Sequence, residues 1–380
     1  MGASRFVSKA KPKIVIVGFG EAGVLSAVHL PKTYEIVAIS TKPALISGQE
    51  LGMRVTRPER WKEDFLTDFK RFKGLEGVRI VNARTTSIDP AKHQIALETP
   101  DGAKSTESYD VLVIATGITN GFWRDDEFRD VAGIEQRLKD DAKRMADASI
   151  IAAVGGGPCG VGAAANLAEA YPDKQIHLFH SGEIPLPGYP EPARADVLNI
   201  LKARKVQIHA NHRAIAPEPA RRRTIDSGAI EFSTGQKPFT ADAIIWATGA
   251  AKPNTGFLPN DLLDEDGFVR VEPNLRVQGA ANIFAIGDVA ATDKNRSSAR
   301  NWAYRILVAN VAALLAGKPE TMQTYKAPDV RWGSIIGPQK GELKVYQPNG
   351  KVVKFSPWFV RALLFPIAVR KMIYGGVRKA

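Results

Sequence analysis

The chain has 380 residues, 44% of them hydrophobic, and a formal net charge of +12. That apolar content excludes a globally disordered chain, and the length fits two or three domains. The single cysteine, Cys159, excludes a disulfide framework or a dithiol redox pair within the chain. The six histidines (His29, His93, His177, His180, His209 and His212) show no zinc-site spacing, so no metal is expected.

At the N-terminus, Arg5, Lys9, Lys11 and Lys13 break up any secretory apolar region. Gly2 follows the first Met, but Phe6 stands where a myristoylation signal wants Ser or Thr. Lys13–Gly23 then reads as an apolar strand ending in a glycine-rich turn, Gly18-Phe-Gly20-Glu-Ala-Gly23. A predicted helix follows over Val24–Leu30 and a second apolar run over Tyr34–Ser40, which together make a βαβ unit. In such a unit the first glycine permits the tight turn and the second lets the backbone approach a pyrophosphate. The third lets the helix pack on the sheet, and the helix N-terminus offers its unpaired N–H groups to the phosphates. A carboxylate is expected at the end of the second strand to hold the ribose. Ser40 stands there instead, a weaker ribose partner.

Val78–Ile95 holds short β-like runs leading into Tyr109–Gly117, a strand ending Ala-Thr116-Gly117. The design then repeats. Ile150–Gly160 is a strand with a turn containing Gly155, Gly157 and Gly160, Val161–Ala170 is a helix, and Gln175–His180 is a strand. Gln207–Phe239 again reads as β-like runs, and Ala241–Gly249 closes the half with a second Ala-Thr-Gly. The second βαβ strand ends at His180, which tolerates a 2′-phosphate and leaves NADH and NADPH both open. Cys159, inside the second turn, reads as a small residue filling a tight space. Asn282–Asp288 forms a third element. Its strand delivers Gly287 and Asp288 to a tip where a carboxylate can accept hydrogen bonds from a polyol such as the ribitol of FAD, ahead of a helix predicted from near Ala299.

These segments resemble the pyridine-nucleotide flavoprotein oxidoreductases, and within them the apoptosis-inducing-factor-like branch that includes ferroptosis suppressor protein. IVIVGFGEAG, VLVIATGIT, AAVGGGPCGVGAAANLAEAYPDKQIHLFHS, IIWATG, NLRVQGAANIFAIGDVA and MQTYKAP carry the resemblance in order over most of residues 12–328. It implies an α/β fold of two Rossmann-type dinucleotide-binding domains in a glutathione-reductase-like architecture. The expected domains are 1–121 with 252–318 for FAD, 122–251 for NAD(P)H, and a smaller C-terminal α+β region over 319–380. By the resemblance, Gly18, Gly20, Gly23, Ser40, Arg54, Thr116, Gly117, Gly287 and Asp288 serve FAD. Gly155, Gly157, Gly160, His180 and Gly249 serve NAD(P)H. Hydride passes from nicotinamide to flavin, so the cofactors carry the chemistry and no acid–base residue is named. The electrons go on to a quinone-like or other small acceptor. Besides Ser40, the chain departs from the family at Gly162, where a Glu often stands beside the nicotinamide, and in lacking the cysteine pair of disulfide reductases.

The last fifty residues hold ten bases against one acid, Glu342, so +9 of the total charge lies there. Trp358–Tyr374 mixes aromatic, aliphatic and basic residues as a membrane-interface segment does, with Pro366 expected to break or kink any helix. No run reaches the ~20 apolar residues of a spanning helix. The expected setting is the cytoplasm. For this end the favoured reading is packing on the FAD domain or on a homodimer partner, and the alternative is a peripheral place on an intracellular membrane. No nucleic-acid recognition module is present, so nucleic acid is not an expected partner. Ser40 and Gly162 motivate a second functional reading, a low-turnover dinucleotide-sensing protein attached through its basic end.

Overall fold

The computed structural model describes residues 11–47, 51–119, 127–248, 252–293, 303–327, 333–337, 342–347 and 349–378. In chain order the elements that matter begin with β1 (Lys13–Val17), α1 (Glu21–His29), β2 (Glu35–Ser40), α2 (Leu51–Thr56), α3 (Pro58–Phe65), β3 (Arg79–Asn82) and β4 (Val111–Ile114). There follow α4 (Val131–Asp147), β5 (Ile150–Val154), α5 (Pro158–Ala170), β6 (Gln175–Phe179), α6 (Glu191–Ala203), β7 (Gln207–His209), β8 (Asp226–Ile230) and β9 (Phe239–Trp246). The chain closes with β10 (Ile283–Ala285), α7 (Ala303–Leu315), β11 (Leu343–Tyr346) and β12 (Val352–Phe355).

Two compact units form. The first contains Met1–Lys42, Phe72–Gly117 and Pro253–Ala327. Its main sheet has the order β10-β4-β1-β2-β3, with every neighbouring pair parallel. Ile14–Val17 and Val111–Ile114 are fully buried, as strands covered on both faces must be. The β-like runs predicted after Val78 become a three-stranded antiparallel sheet of Arg84–Asp89, Gln94–Glu98 and Lys104–Ser108. Glu107 ties that sheet to the main one through ion pairs with Lys13 and with Arg79, the latter at 2.6 Å.

The second unit contains Pro43–Arg71, Ile118–Lys252 and Pro328–Ala380. Its sheet has the order β7-β6-β5-β9-β8, parallel except for the β8–β9 pair. Helix α5 is apolar nearly all round and buried from Gly160 to Ala168, so it needs cover on several sides. Helix α2 supplies one side. A Cβ at Gly52 would lie 2.6 Å from the Asn166 Cβ and 2.8 Å from the Gly162 carbonyl oxygen, so only a glycine lets the two helices approach this closely. A second cover comes from the C-terminal end. Ile335 and Ile336 are buried in the same core as Leu51, Val55, Val161 and Leu167. The Asn166 side-chain amide donates to the Gly162 and Ile336 carbonyls, at 2.8 Å each.

The units therefore divide the chain differently from the sequence expectation. Residues 43–71 were expected with the FAD domain and 319–380 as a region apart. Residues 43–71 and the described residues from 333 on instead group with the second unit, where Leu51, Val55, Ile335 and Ile336 help cover the apolar surface of α5. The hairpin β11–β12 is held there too. Lys344 pairs with Asp196 on α6 at 2.8 Å, and the Tyr346 hydroxyl donates to the same carboxylate at 2.7 Å.

Beyond the hairpin, a helix starts at Pro357–Phe359, capped by the Ser356 hydroxyl, and continues over Val360–Ile373 with wide i→i+5 turns. Pro366 lies inside this helix and does not end it, contrary to expectation. Trp358, Ile367 and Met372 stand out from it, 69%, 44% and 69% exposed. Among the described residues no helix is long and apolar enough to cross a membrane.

Candidate functional site: two matching glycine cradles

The two units present the same turn, built by the same contacts. In the first, Gly18 has φ +91°, and a Cβ there would lie 2.5 Å from the Ala115 carbonyl oxygen. A Cβ at Gly23 would lie 2.2 Å from the Gly18 carbonyl oxygen. In the second, Gly155 has φ +136°, its Cβ would lie 2.4 Å from the Ala247 carbonyl oxygen, and that of Gly160 would lie 2.1 Å from the Gly155 oxygen. At these four positions any side chain would strike backbone. Gly20 and Gly157 are different, because a Cβ on either meets nothing within 4 Å. Each caps a helix start (α1 and α5) with no side-chain hydrogen bond to that helix end. A residue kept small above open space and beside free helical N–H groups fits a backbone that must admit a pyrophosphate.

The strand ends match as well. The Gly18 N–H donates to the Ile39 carbonyl at 3.0 Å and the Gly155 N–H to the Phe179 carbonyl at 2.8 Å. Ser40 and His180, the next residues, are therefore structural counterparts. The Ser40 hydroxyl donates to the Lys42 carbonyl at 2.8 Å and accepts from the Lys42 N–H at 3.1 Å. It closes its own turn, which corrects the expectation that its donor is available to a ribose.

In the first unit the Ala-Thr-Gly turn is stapled to a residue that sequence reasoning missed. The Thr116 hydroxyl donates to the Asn254 carbonyl at 2.8 Å, and the Asn254 side-chain amide donates back to the Thr116 carbonyl at 2.9 Å. The Asn254 N–H donates to the Gly117 carbonyl at 3.0 Å. No local motif marks Asn254; the pairing spans 138 residues of sequence. Gly287 has φ +80° and approaches Ala22 on α1 so closely that a Cβ would lie 2.9 Å from the Ala22 Cβ. The half-buried Asp288 is thereby delivered beside the first turn of α1. The structure thus brings Gly18, Gly20, Gly23, Thr116, Gly117, Gly287 and Asp288 together in one unit. Gly155, Gly157, Gly160 and His180 assemble in the other.

Arg54 is grouped with the second unit, where its guanidinium lies 5.2 Å from the ring centre of Trp61 and its charge acts on Asp141. Gly249 and the start of the helix expected near Ala299 lie outside the described residues. Cys159 lies half-buried in the first turn of α5. At Gly162, a Cβ would lie 2.5 Å from the Ile335 carbonyl oxygen, which leaves no room for the Glu of the family pattern.

A second cluster went unnoticed in the sequence. His177 and His209 face each other with Nδ1 and Nε2 2.9 Å apart. Both stack with Phe179 and Phe239, and His212 packs edge-on against Phe232. Burial, and then the neighbouring His209, push His177 down to about 4. The rings are held neutral in an aromatic stack. A hint lay in the apolar setting of His177 and Phe179 on one strand, but His209 and His212 arrive only through the parallel pairing of β6 with β7.

The comparisons with known proteins agree with this geometry. Oxidoreductase ptaL of Pestalotiopsis fici is 28% identical over 96% of this chain and 99% of its own. Ferroptosis suppressor protein 1 of Xenopus tropicalis is 26% identical over 83% of each chain. Demethylphylloquinone reductase NdbB of a Synechocystis strain is 26% identical over 75% of this chain and 73% of its own. Among solved structures, the sulfide:quinone oxidoreductase of Aquifex aeolicus superposes with a TM-score of 0.65 at 16% identity, covering 90% of this chain and 86% of the other, which supports the Rossmann-type α/β fold. The pyridine nucleotide-disulphide oxidoreductase pattern matches residues 12–324. The chain belongs to that family, and its cofactors are FAD and NAD(P)H.

Proposed function

We propose that the protein is an FAD-dependent NAD(P)H oxidoreductase of glutathione-reductase-like architecture that delivers electrons to a quinone-like acceptor without a redox disulfide. The observation that carries the reading is the pair of matching cradles, each with an open glycine between two that a Cβ cannot enter. The first cradle, with Thr116, Gly117, Gly287 and Asp288, would hold FAD, and the second, with His180 and Gly249, would hold NAD(P)H. The bound cofactors supply hydride and electron transfer. The chain's own part is to orient them. Free N–H groups at the starts of α1 and α5 neutralise phosphate charge, and Asp288 offers a carboxylate to flavin-side hydroxyls. The names of oxidoreductase ptaL and demethylphylloquinone reductase NdbB support an oxidoreductase role, and the latter a quinone acceptor.

A visible spectrum of the purified protein tests this. We expect flavin bands that bleach without oxygen on adding NADH or NADPH and return on adding a short-chain quinone. A protein that takes up no FAD, or a flavin inert to both nucleotides, ends the proposal.

The C-terminal helix supports a peripheral place on a membrane inside the cell. It exposes Trp358, Ile367 and Met372 among Arg361 and Lys371. Apolar side chains among bases are the composition of an interfacial helix on anionic lipid. The full chain is expected to pellet with phosphatidylserine-containing vesicles, and a W358E/I367E/M372E variant to stay in solution. Equal pelleting of the two removes the membrane reading.

A further inference from the structure

His180 has an unusual position. It follows β6 directly and takes the place of Ser40 in the first cradle, where a Rossmann unit reads the adenosine ribose. Its residue is 4% exposed, and neither ring nitrogen has a partner in ordinary hydrogen-bond geometry, although the Gly182 backbone lies near enough to favour the charged ring. The side chain lies against the cradle itself: a Cβ on Gly156 would be 2.8 Å from the His180 Cβ, 3.3 Å from its Cγ and 3.6 Å from its Nδ1. The segment after His180 folds over this spot, with the Leu186 N–H donating to the Gly156 carbonyl at 2.8 Å and the Asn211 N–H to the Gly182 carbonyl at 2.9 Å. A second imidazole stands next to it. The His212 N–H donates to the His180 carbonyl at 2.9 Å, and His212 Nδ1 lies 2.7 Å from the Ala210 carbonyl oxygen. A carbonyl only accepts, so Nδ1 carries a proton there.

We infer that His180 selects between NADH and NADPH by taking up a proton: as imidazolium it pairs with a 2′-phosphate, and as neutral imidazole it bonds a 2′-hydroxyl. The inference rests on the proposal that the second cradle holds the nicotinamide dinucleotide. The buried, unbonded ring gives it its force, because a 2′ substituent reaching the ring supplies a missing partner. A phosphate dianion also favours the charged ring. The charge inventory agrees. The groups acting on His180 are the imidazoles His212 and His209, while the cradle offers only backbone. Glu183 and Arg213 on the flanking segments are exposed. Burial, then His212, hold the free His180 below the ordinary imidazole range, and the nearby Gly182 backbone offsets part of that. At neutral pH the free protein therefore carries an uncharged His180, and NADPH binding draws one proton from solution. NADH binding draws none.

The experiment is calorimetry on the FAD-loaded full chain with NAD⁺ and NADP⁺, in two buffers of different ionisation enthalpy, from pH 6.5 to 8.0. The 2′-phosphate ionises near 6, so it stays largely dianionic across this window. We expect NADP⁺ to take up close to one proton and NAD⁺ close to none. The affinity ratio of NADP⁺ to NAD⁺ should rise up to tenfold for each pH unit of acidification. In His180→Gln the ratio should be flat and the proton uptake gone, with FAD content as the check that the chain has folded. A wild-type ratio independent of pH, or unchanged proton uptake in His180→Gln, overturns the inference. Failure of both nucleotides to bind the wild type would instead overturn the assignment of the second cradle.

Discussion

Replacing Gly20 with alanine is expected to leave the fold intact and strip the protein of its flavin, whereas replacing Gly18 damages the fold itself. The positions are two residues apart, and their surroundings dictate opposite outcomes. Gly20 has φ −78° and ψ −161°, which any residue adopts, and its Cβ would point into open space. Nothing in the apo protein resists the methyl, so stability should change by no more than about 0.5 kcal/mol. A pyrophosphate lying against that backbone would meet it, and FAD affinity should fall at least about tenfold, or about 1.4 kcal/mol. Gly18 has a positive φ, and its Cβ would sit 2.5 Å from a backbone oxygen of β4's following residue, Ala115. Left-handed strain and the clash each cost about 1–3 kcal/mol, so a loss of about 3 kcal/mol or more is expected. Thermal unfolding of the apoproteins and FAD titration of each variant separate the effects. If Gly20→Ala binds FAD as tightly as wild type, the first cradle is not the phosphate site.

Acid should destabilise the second unit through the buried histidines. His177 titrates near 4 in the folded protein and near its ordinary 6.5 once unfolded. Between those values the unfolded chain binds the extra proton, so stability falls as pH drops from about 6.5 towards 4 and is fully present above about 7. The shift corresponds to a contribution on the order of 3 kcal/mol, most of it lost by pH 4.5. Denaturant unfolding at pH 7.5 and pH 5.0, followed by tryptophan fluorescence, to which the buried Trp246 at the end of β9 contributes, measures it. His177→Phe keeps an aromatic in the stack with Phe179 and Phe239 and removes the titration, so its stability should vary less with pH. The same pH dependence in wild type and variant would assign the acid sensitivity to other groups.

What the sequence disclosed and what it hid follow from the range of the interactions. Gly18, Gly23, Gly155 and Gly160 were readable because each clash that forbids a side chain arises from a turn and strand ends with recognisable local patterns. The Ala-Thr-Gly endings were readable because the two halves repeat. The neighbours of Arg54, Trp61 and Asp141, were not readable, because nothing local to α2 announces them. Asn254 and the His177–His209 pair escaped for the same reason, since both depend on contacts across more than thirty residues. Ser40 was read by residue type, and its actual commitment to Lys42 depends on how the chain turns after β2.

The junction at Gly162 sets the order in which the protein can be completed. Three backbones meet there, from α2, α5 and the Ser334–Gly337 turn, and the last is made after every segment of the first unit. Every segment of the first unit has been synthesised by Ala327. On a ribosome the first unit can thus finish folding while the second still waits, with one flank of α5 uncovered, for Ile335 and Ile336. Until they arrive, that flank of α5 stays exposed on the nascent chain, where a chaperone can bind it.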